Sequence, residues 1–429
     1  MSHPSRGPVP PGSLRAVAVG GLLALALSGS AEAQIYESLD EGLTSGHAVF
    51  HPSLSYEYTY DSNILFISSD LPGSSPVASG INLVRARILA YVPIRDGRIR
   101  FVYAPFYRNY TNDRFQPEDG LNHEFDLETV FPAGRSITFT FRDHYVNGTV
   151  SLQEQLDGNG LAVGLGHYTT HDPQLVIDVS LGARQGFSLL PSYSSSSYNG
   201  LVSSLGQIVD YDYTTQALEG RYNYRHSEPT TVYGYYELAA TTENVTNAPE
   251  ITIQSRAVGL GLMRTTHENL MTYLSVGYQT LDFEGGIGQN FSGPVGEANV
   301  TWQLGNLARI NLRFLRKPYA SIFADSYYYL ETAGRIGWIR QIGRDNYMDA
   351  GAVLAQQEYV PAQGTARIVR SIRLEGGFGH QLMKNLRAYI GLNLESSESN
   401  VLQLSGGVGA DPFHYNLYRI LFRLEAGWL

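Results

Sequence analysis

The sequence predicts an all-β chain: a transmembrane antiparallel up-and-down β-barrel of about eighteen strands after a cleaved signal peptide. Three observations carry that reading. A short apolar stretch near the start is followed by small residues and then by a different composition. From residue 49 onward, segments of alternating apolar and polar residues recur. The breaks between them are alternately short and long. Successive side chains of a strand point to opposite faces, so a period of two marks a sheet with one apolar face.

Residues 1–33 form the signal peptide. Arg6 and Arg15 precede "AVAVGGLLALAL", and Ala31-x-Ala33 supplies the cleavage pattern before Gln34. A helical anchor needs about 20 apolar residues, and this run is shorter. Residues 34–48 are a short periplasmic segment, and residues 49–429 are the barrel, with no apolar run long enough for a membrane helix.

Composition agrees with the fold class. Charged residues make up 16% of 429, with 45 Gly, 30 Tyr, no Cys and a formal net charge of −10. Low charge with abundant Tyr suits aromatic rings at a boundary between water and an apolar phase. Absence of Cys fits a Gram-negative envelope protein. The acidic balance, with no Lys/Arg run, excludes a nucleic-acid partner.

The segments begin near "SLSYEYTY" (Ser53 to Tyr60), "INLVRARILAYV" and "RIRFVYAPFYRNY", and continue through "LAVGLGHYT" and "QLVIDVSLGARQG" to "YRILFRLEAGWL" (Tyr418 to Leu429). Short breaks carry turn residues: "PIRDG", "PAGR", "HDP", "HSEPT", "THEN", "GNLA", "GRDN" and "MKN". Longer breaks are polar, as at Asp61 to Gly80, Asn147 to Gly160, Ser188 to Asp210 with its "SYSSSSY" tract, and Glu398 to Pro412. Short turns at one end and long loops at the other are the signature of a membrane barrel, with both termini on the periplasmic side.

Charge recurs on one face of each segment, and a membrane barrel must turn the other face to lipid. The charged face predicts a lumen lined by Arg85, Arg87, Arg100, Arg142, Arg221, Arg309, Arg313, Arg335, Arg373, Arg387, Arg419 and Arg423. Facing them are Glu124, Asp126, Glu128, Glu219, Glu237, Glu331, Glu375, Glu395 and Glu425. Tyr56, Tyr58, Tyr60, Tyr103, Tyr107, Tyr222, Tyr224, Trp302, Trp338, Tyr418 and Trp428 are candidates for two aromatic girdles. In the last segment Tyr418, Ile420, Phe422, Leu424 and Trp428 share the lipid face and form a candidate signal for the barrel assembly machinery. That segment is expected to pair with the first, so that neither leaves an open edge in lipid.

The hairpin "EGGFGHQLMKNLRAYIGLNLESSESN" (Glu375 to Asn400) resembles a recurring unit of the β-barrel porin 2 group of outer-membrane proteins, and "HPSLSYEYTYDSNIL" resembles that group's first strand. The resemblance implies a route for polymer or small solutes through the outer membrane, often beside exopolysaccharide or capsule synthesis. It brings no active residues. Trp428 followed by Leu429 departs from the usual terminal Phe of such barrels.

No G-x-S-x-G elbow, P-loop or H-E-x-x-H occurs, so an enzyme is not expected. His167 and His171 stand about 13 Å apart on a strand and cannot share one ion. Glu124, Asp126 and Glu128 read as a structural charge ladder answered by arginines on neighbouring strands, with a cation site as the functional alternative. Tyr233, Tyr235, Tyr273, Tyr329 and Tyr389 fall on the inward face, where rings can stack on sugars. Three readings of function stay open: a conduit for polysaccharide export with separate periplasmic partners, a general diffusion porin, and a structural or adhesive barrel with a blocked bore. No cofactor or metal is expected.

Overall fold

The computed structural model describes residues 43–45, 47–68, 75–149, 167–202, 208–245, 250–266, 269–284, 290–320, 326–361, 366–400, 403–405, 408–410 and 414–427. The expected signal peptide and Trp428 lie outside these residues.

The wall consists of β1 (Ala48–Asp61), β2 (Ser79–Ile94), β3 (Gly97–Tyr103 and Phe106–Tyr110), β4 (Gly120–Ala133), β5 (Ile137–Thr149) and β6 (His167–His171 and Gln174–Ser180). It continues through β7 (Gln185–Val202), β8 (Ile208–Ser227), β9 (Thr230–Val245), β10 (Ile251–Thr266), β11 (Leu270–Phe283) and β12 (Phe291–Leu304). The last six are β13 (Ala308–Ala320), β14 (Ser326–Ile342), β15 (Asn346–Pro361), β16 (Arg367–Met383), β17 (Leu386–Ser399) and β18 (Tyr415–Gly427). Each pairs antiparallel with the next, and β18 returns to β1 from Ser53↔Gly427 to Asp61↔Arg419. The ring is a closed antiparallel barrel of 18 strands.

Tight turns join β2–β3, β4–β5 and so on to β16–β17, all at the end that holds Ala48 and Gly427. Gly134, Gly305 and Gly343 take positive φ there (75°, 63° and 70°), which a residue with a Cβ rarely adopts. Leu43–Ser45 folds back along Ala48 to Phe50 as a short extra strand, so regular structure begins inside the segment expected to be a plain lead-in.

The strand count of eighteen rests on two errors in the sequence reading that cancel. "HDP" is not a turn: His167–His171 and Gln174–Ser180 both pair with β5 and β7, so they are one interrupted strand. The expected loop Ser188 to Asp210 is instead most of β7 and the start of β8, paired from Gln185↔Tyr224 to Val202↔Ile208. Its serines misled because this hairpin runs on toward the loop end, where apolar alternation is no longer needed. Ser194 bonds Asp172, and Ser188 Oγ donates to Asp178 Oδ1 at 2.5 Å, so the serines tie β7 to the interrupted strand beside it.

Two independent features fix which face is inside. Along the body of the wall, side chains of strands two apart converge on one face: Arg335 with Glu375, Tyr389 with Asp349, Tyr233 with Tyr273. Such convergence belongs to the concave side of a curved sheet. The opposite face carries the exposed apolar residues, among them Leu260, Val276, Leu354 and Ile390. Tyr222, Tyr224 and Trp302 are exposed near the turns, and Tyr107, Tyr278 and Tyr418 nearer the loops. The exterior is the surface that hydrocarbon would solvate, and its aromatic residues lie toward both rims.

Candidate functional site

The bore is lined by ion pairs within strands and between strands one or two apart. Arg85 faces Glu124 at 3.6 Å; Arg98 and Arg142 hold Glu128 from both sides at 3.1 and 3.3 Å; His144 Nδ1 meets Asp126 at 2.6 Å. Arg313 faces Glu297 at 3.5 Å and Arg335 faces Glu375 at 3.1 Å. Glu219 and Arg221 bond each other along β8, over the ring of Tyr233. Glu331 accepts from Gln357 Nε2 at 3.2 Å. Arg87 shares the face of Arg85, Arg100 lies opposite Glu128, Arg387 lies opposite Glu425, and Arg309 shares the face of Arg313. Charges are thus answered locally, within a strand or across one or two strands, and acids and bases are not sorted onto opposite walls.

One group stands apart because its centre, Arg419 with Asp61 and Glu395, is almost without exposure. Arg419 of β18 gives Nε to Asp61 Oδ2 at 2.6 Å and lies 3.8 Å from Glu395 Oε2. Glu395 also accepts from Arg373 Nε at 3.2 Å and from the Tyr415 hydroxyl at 2.9 Å. Charges removed from water need partners on every side, and here two arginines balance two carboxylates. Beside this group Arg423 holds Glu57 across the closing seam at 2.7 Å.

The buried group anchors the first outer loop. After Asp61, Ser62 exchanges two bonds with Tyr418 of β18. Asn63 then clasps the segment, giving Nδ2 to Ile67 O and accepting from Ile67 N at Oδ1. The clasp holds Phe66 at φ 51°, a conformation uncommon for a bulky residue. Asn63, Ile64, Leu65, Phe66 and Ser68 are all buried, which is possible only if the loop turns into the barrel.

Inside, Phe66 packs edge-on against Tyr415 at 5.0 Å, under the Arg419 guanidinium. It belongs to one apolar cluster with Tyr415 and Leu417 of β18 and with Tyr198 and Tyr211 of β7 and β8. The ladder order puts β7 and β8 far around the ring from β1 and β18, so this cluster bridges the bore. Ile64 and Leu65 pack on Tyr110 and on Phe115 of the 3-10 helix Asp113–Glu118. The constriction is therefore built from the loop after β1, the loop after β3, and three inner walls.

The turn-side half of the bore is different. Tyr233 and Tyr235 lie over Gly261 and Gly259, Tyr347 over Gly379, and Tyr389 over Gly377 and Gly391, where any Cβ would collide with the ring. Tyr329 is instead sealed at the loop end with Tyr319, Tyr359 and Val369. Of the five inward tyrosines named from parity, Tyr329 and Tyr233 are fully buried and present no face to the bore, while Tyr235, Tyr273 and Tyr389 are partly exposed.

Sequence reasoning omitted Glu57 and Asp61 from the lumen. Pairing of first and last strands was expected, and the arginines of β18 at 419 and 423 could have been matched against the acids of β1. Phe66 had no signal, because a loop's inward turn is a tertiary property. Tyr418, Ile420 and Phe422 are exposed on the outer face and Leu424 is partly so. His171 Nε2 lies 3.0 Å from Asp143, and among the described residues no group of three His, Asp or Glu is placed to hold a metal.

No family profile matches the chain, and no curated protein matches its sequence. Among solved structures, the outer membrane protein OpdK from Pseudomonas aeruginosa is similar at 9% identity, over 88% of this chain and 99% of that one, with a TM-score of 0.47. OccK2 (OpdF) of Pseudomonas aeruginosa, in complex with glucuronate, aligns at 8% identity over 89% and 98% with a TM-score of 0.46. The siderophore receptor PirA from Pseudomonas aeruginosa aligns at 9% identity over 89% and 80% with a TM-score of 0.44. None of these likenesses assigns a solute to this chain or extends to the role of any residue.

Proposed function

We propose that this barrel is a channel of the bacterial outer membrane for small hydrophilic solutes, narrowed by its own first loop. The carrying observation is the buried segment Asn63 to Ser68, which crosses the bore and is pinned by Arg419. An apolar exterior and a polar, ion-paired interior suit a chain solvated by lipid outside and water inside. Strand β18 would supply the face read by the barrel assembly machinery, with Tyr418, Ile420 and Phe422 outward.

Export of an exopolysaccharide through separate periplasmic partners requires the same segment to leave the bore. What favours a sugar-like solute is the row of turn-side tyrosines, Tyr235, Tyr273, Tyr347 and Tyr389, each half-buried on the inner face. Ring faces stack on the apolar sides of pyranoses.

The deciding experiment reconstitutes the full chain in planar bilayers and in liposomes, with sugars of increasing length. Discrete current steps are expected, with entry of mono- and disaccharides and exclusion of long oligosaccharides. No current steps would leave the structural, blocked barrel. Passage of long oligosaccharides would leave the polymer conduit.

A further inference from the structure

The wall is lapped in its outer third. The ladder between β12 and β13 runs from Leu304↔Ala308 to Gly296↔Arg316 and stops. Both strands continue beyond that point with their other neighbours, β12 to Leu281↔Phe291 and β13 to Ala320↔Tyr328. Continuing the register by two residues places Pro294 opposite Pro318.

That placement explains the break. Gln303 N donates toward the β11 side, to Asn269 O, and Gln341 N of β14 donates to Leu307 O. Odd residues of β12 and β13 therefore bond their outer neighbours, and even residues face each other across the seam. Pro294 and Pro318 stand where each would donate to the other, and neither has an N–H. One rung loses both its hydrogen bonds, and the two strands part.

What closes the gap is apolar contact between opposite faces of the sheet. Ile253 of β10, Leu281 and Phe283 of β11 and Phe291 of β12 have the parity of the inner face. Tyr328 and Leu330 of β14 have the parity of the outer face, in step with exposed Ile336. Nevertheless all six form one buried cluster, with the Tyr328 ring 5.7 Å from Phe291 and 6.0 Å from Phe283. Inner faces can meet an outer face only if the ends of β10 to β12 overlap the ends of β13 and β14 from outside. Residues 328 to 331 accordingly are all buried, at 6, 0, 8 and 4% exposure, where a wall strand would alternate.

We propose that this lap joint is a side gate: the outer ends of β13 and β14 slide from under β10 to β12 until β13 lies edge to edge with β12, which lengthens the wall and widens the bore's outer third. A seam without hydrogen bonds can part without breaking a ladder, and the barrel below Gly296↔Arg316 stays zipped. The gate rests on the reading of the barrel as a channel, whose regulation it would be.

The chain has no cysteine, so a single engineered pair is unambiguous. In F291C/Y328C, reduced protein is expected to switch between two conductance levels and oxidised protein to stay at the lower; current steps that are identical in both states overturn the gate. P294T/P318T restores the missing rung and is expected to hold the higher level; a trace matching the native chain overturns it too. Without current, L330C is expected to be labelled by a maleimide in the folded barrel. No labelling over hours, with normal labelling of the unfolded chain, overturns the gate whatever the conductance. Absence of current steps in the native chain and every variant, with L330C labelled, would sink the channel reading and spare the gate.

Discussion

The turn-side half and the loop-side half of this barrel use the same alternating strands and solve opposite problems. Near the turns, strands stay paired through two small bulges, ion pairs are partly hydrated, and tyrosines lie over glycines, so the bore stays polar and lined. Near the loops, a buried charge group, four apolar clusters and a lapped seam draw the walls together. Regular pairing keeps a wide ring open, and the constriction had to come from irregular pieces: a loop, a short 3-10 helix and two prolines.

The comparison is broken most forcefully at Arg419. Arg419→Met leaves Asp61 and Glu395, each nearly without exposure, short of their shared cation, and losing one partner of a buried pair costs about 3–5 kcal/mol. Thermal unfolding in detergent is expected at a clearly lower temperature, and conductance is expected to rise severalfold as Phe66 leaves the bore. Arg335→Met on the turn side, whose pair with Glu375 is about a quarter exposed, is expected to cost under about 1 kcal/mol and leave conductance near native.

A smaller effect tests the exterior. Val276 sits midway along β11 and is 66% exposed, and an arginine at the middle of a lipid-facing strand costs about 2–4 kcal/mol. Val276→Arg is expected to fold less stably in a bilayer, measured by urea titration, while Ser292→Arg at the loop-side rim is expected to be near neutral. Equal costs would mean that the apolar band does not meet lipid.

Smaller again is the tyrosine floor. Gly377→Ala drives a methyl into the Tyr389 ring, and overpacking of this kind costs about 1–3 kcal/mol. The double variant G377A/Y389A is expected to be less destabilised than the sum of its singles, since residues in contact do not add. Additive costs would show that ring and glycine do not touch.

Much of this was legible in sequence, and the limits follow from where the solvent changes. Between lipid and water a strand must alternate, so Leu386 to Leu394 or Leu121 to Phe131 announce their faces. Beyond the membrane rim that demand ends, and "SYSSSSY" reads as loop although it is strand. A Pro beside His and Asp looks like a turn, yet at His171 to Pro173 it only interrupts β6. The inward turn of Asn63 to Phe66 depends on Tyr415 and Arg419, hundreds of residues away, and no local pattern encodes it. Pro294 and Pro318 were visible all along. Their consequence needed the register, which fixes that they face each other.

The acidic ladder of β4 gives the finest measure of the difference between the halves. Glu124 and Asp126 lie toward the open bore, partly hydrated, with Arg85 and His144 as partners. If their charges are spent on those neighbours, replacing both by Ser frees two bases and removes two acids, so the pore should drift toward anions. Partly exposed pairs are worth a few tenths of a kcal/mol, which corresponds to a change in permeability ratio of less than about twofold. Reversal potentials in a salt gradient read that directly. A shift of tenfold or more would show that the ladder is not a local structural pairing but the selectivity element of the channel, and the constriction at Arg419 would then set size alone.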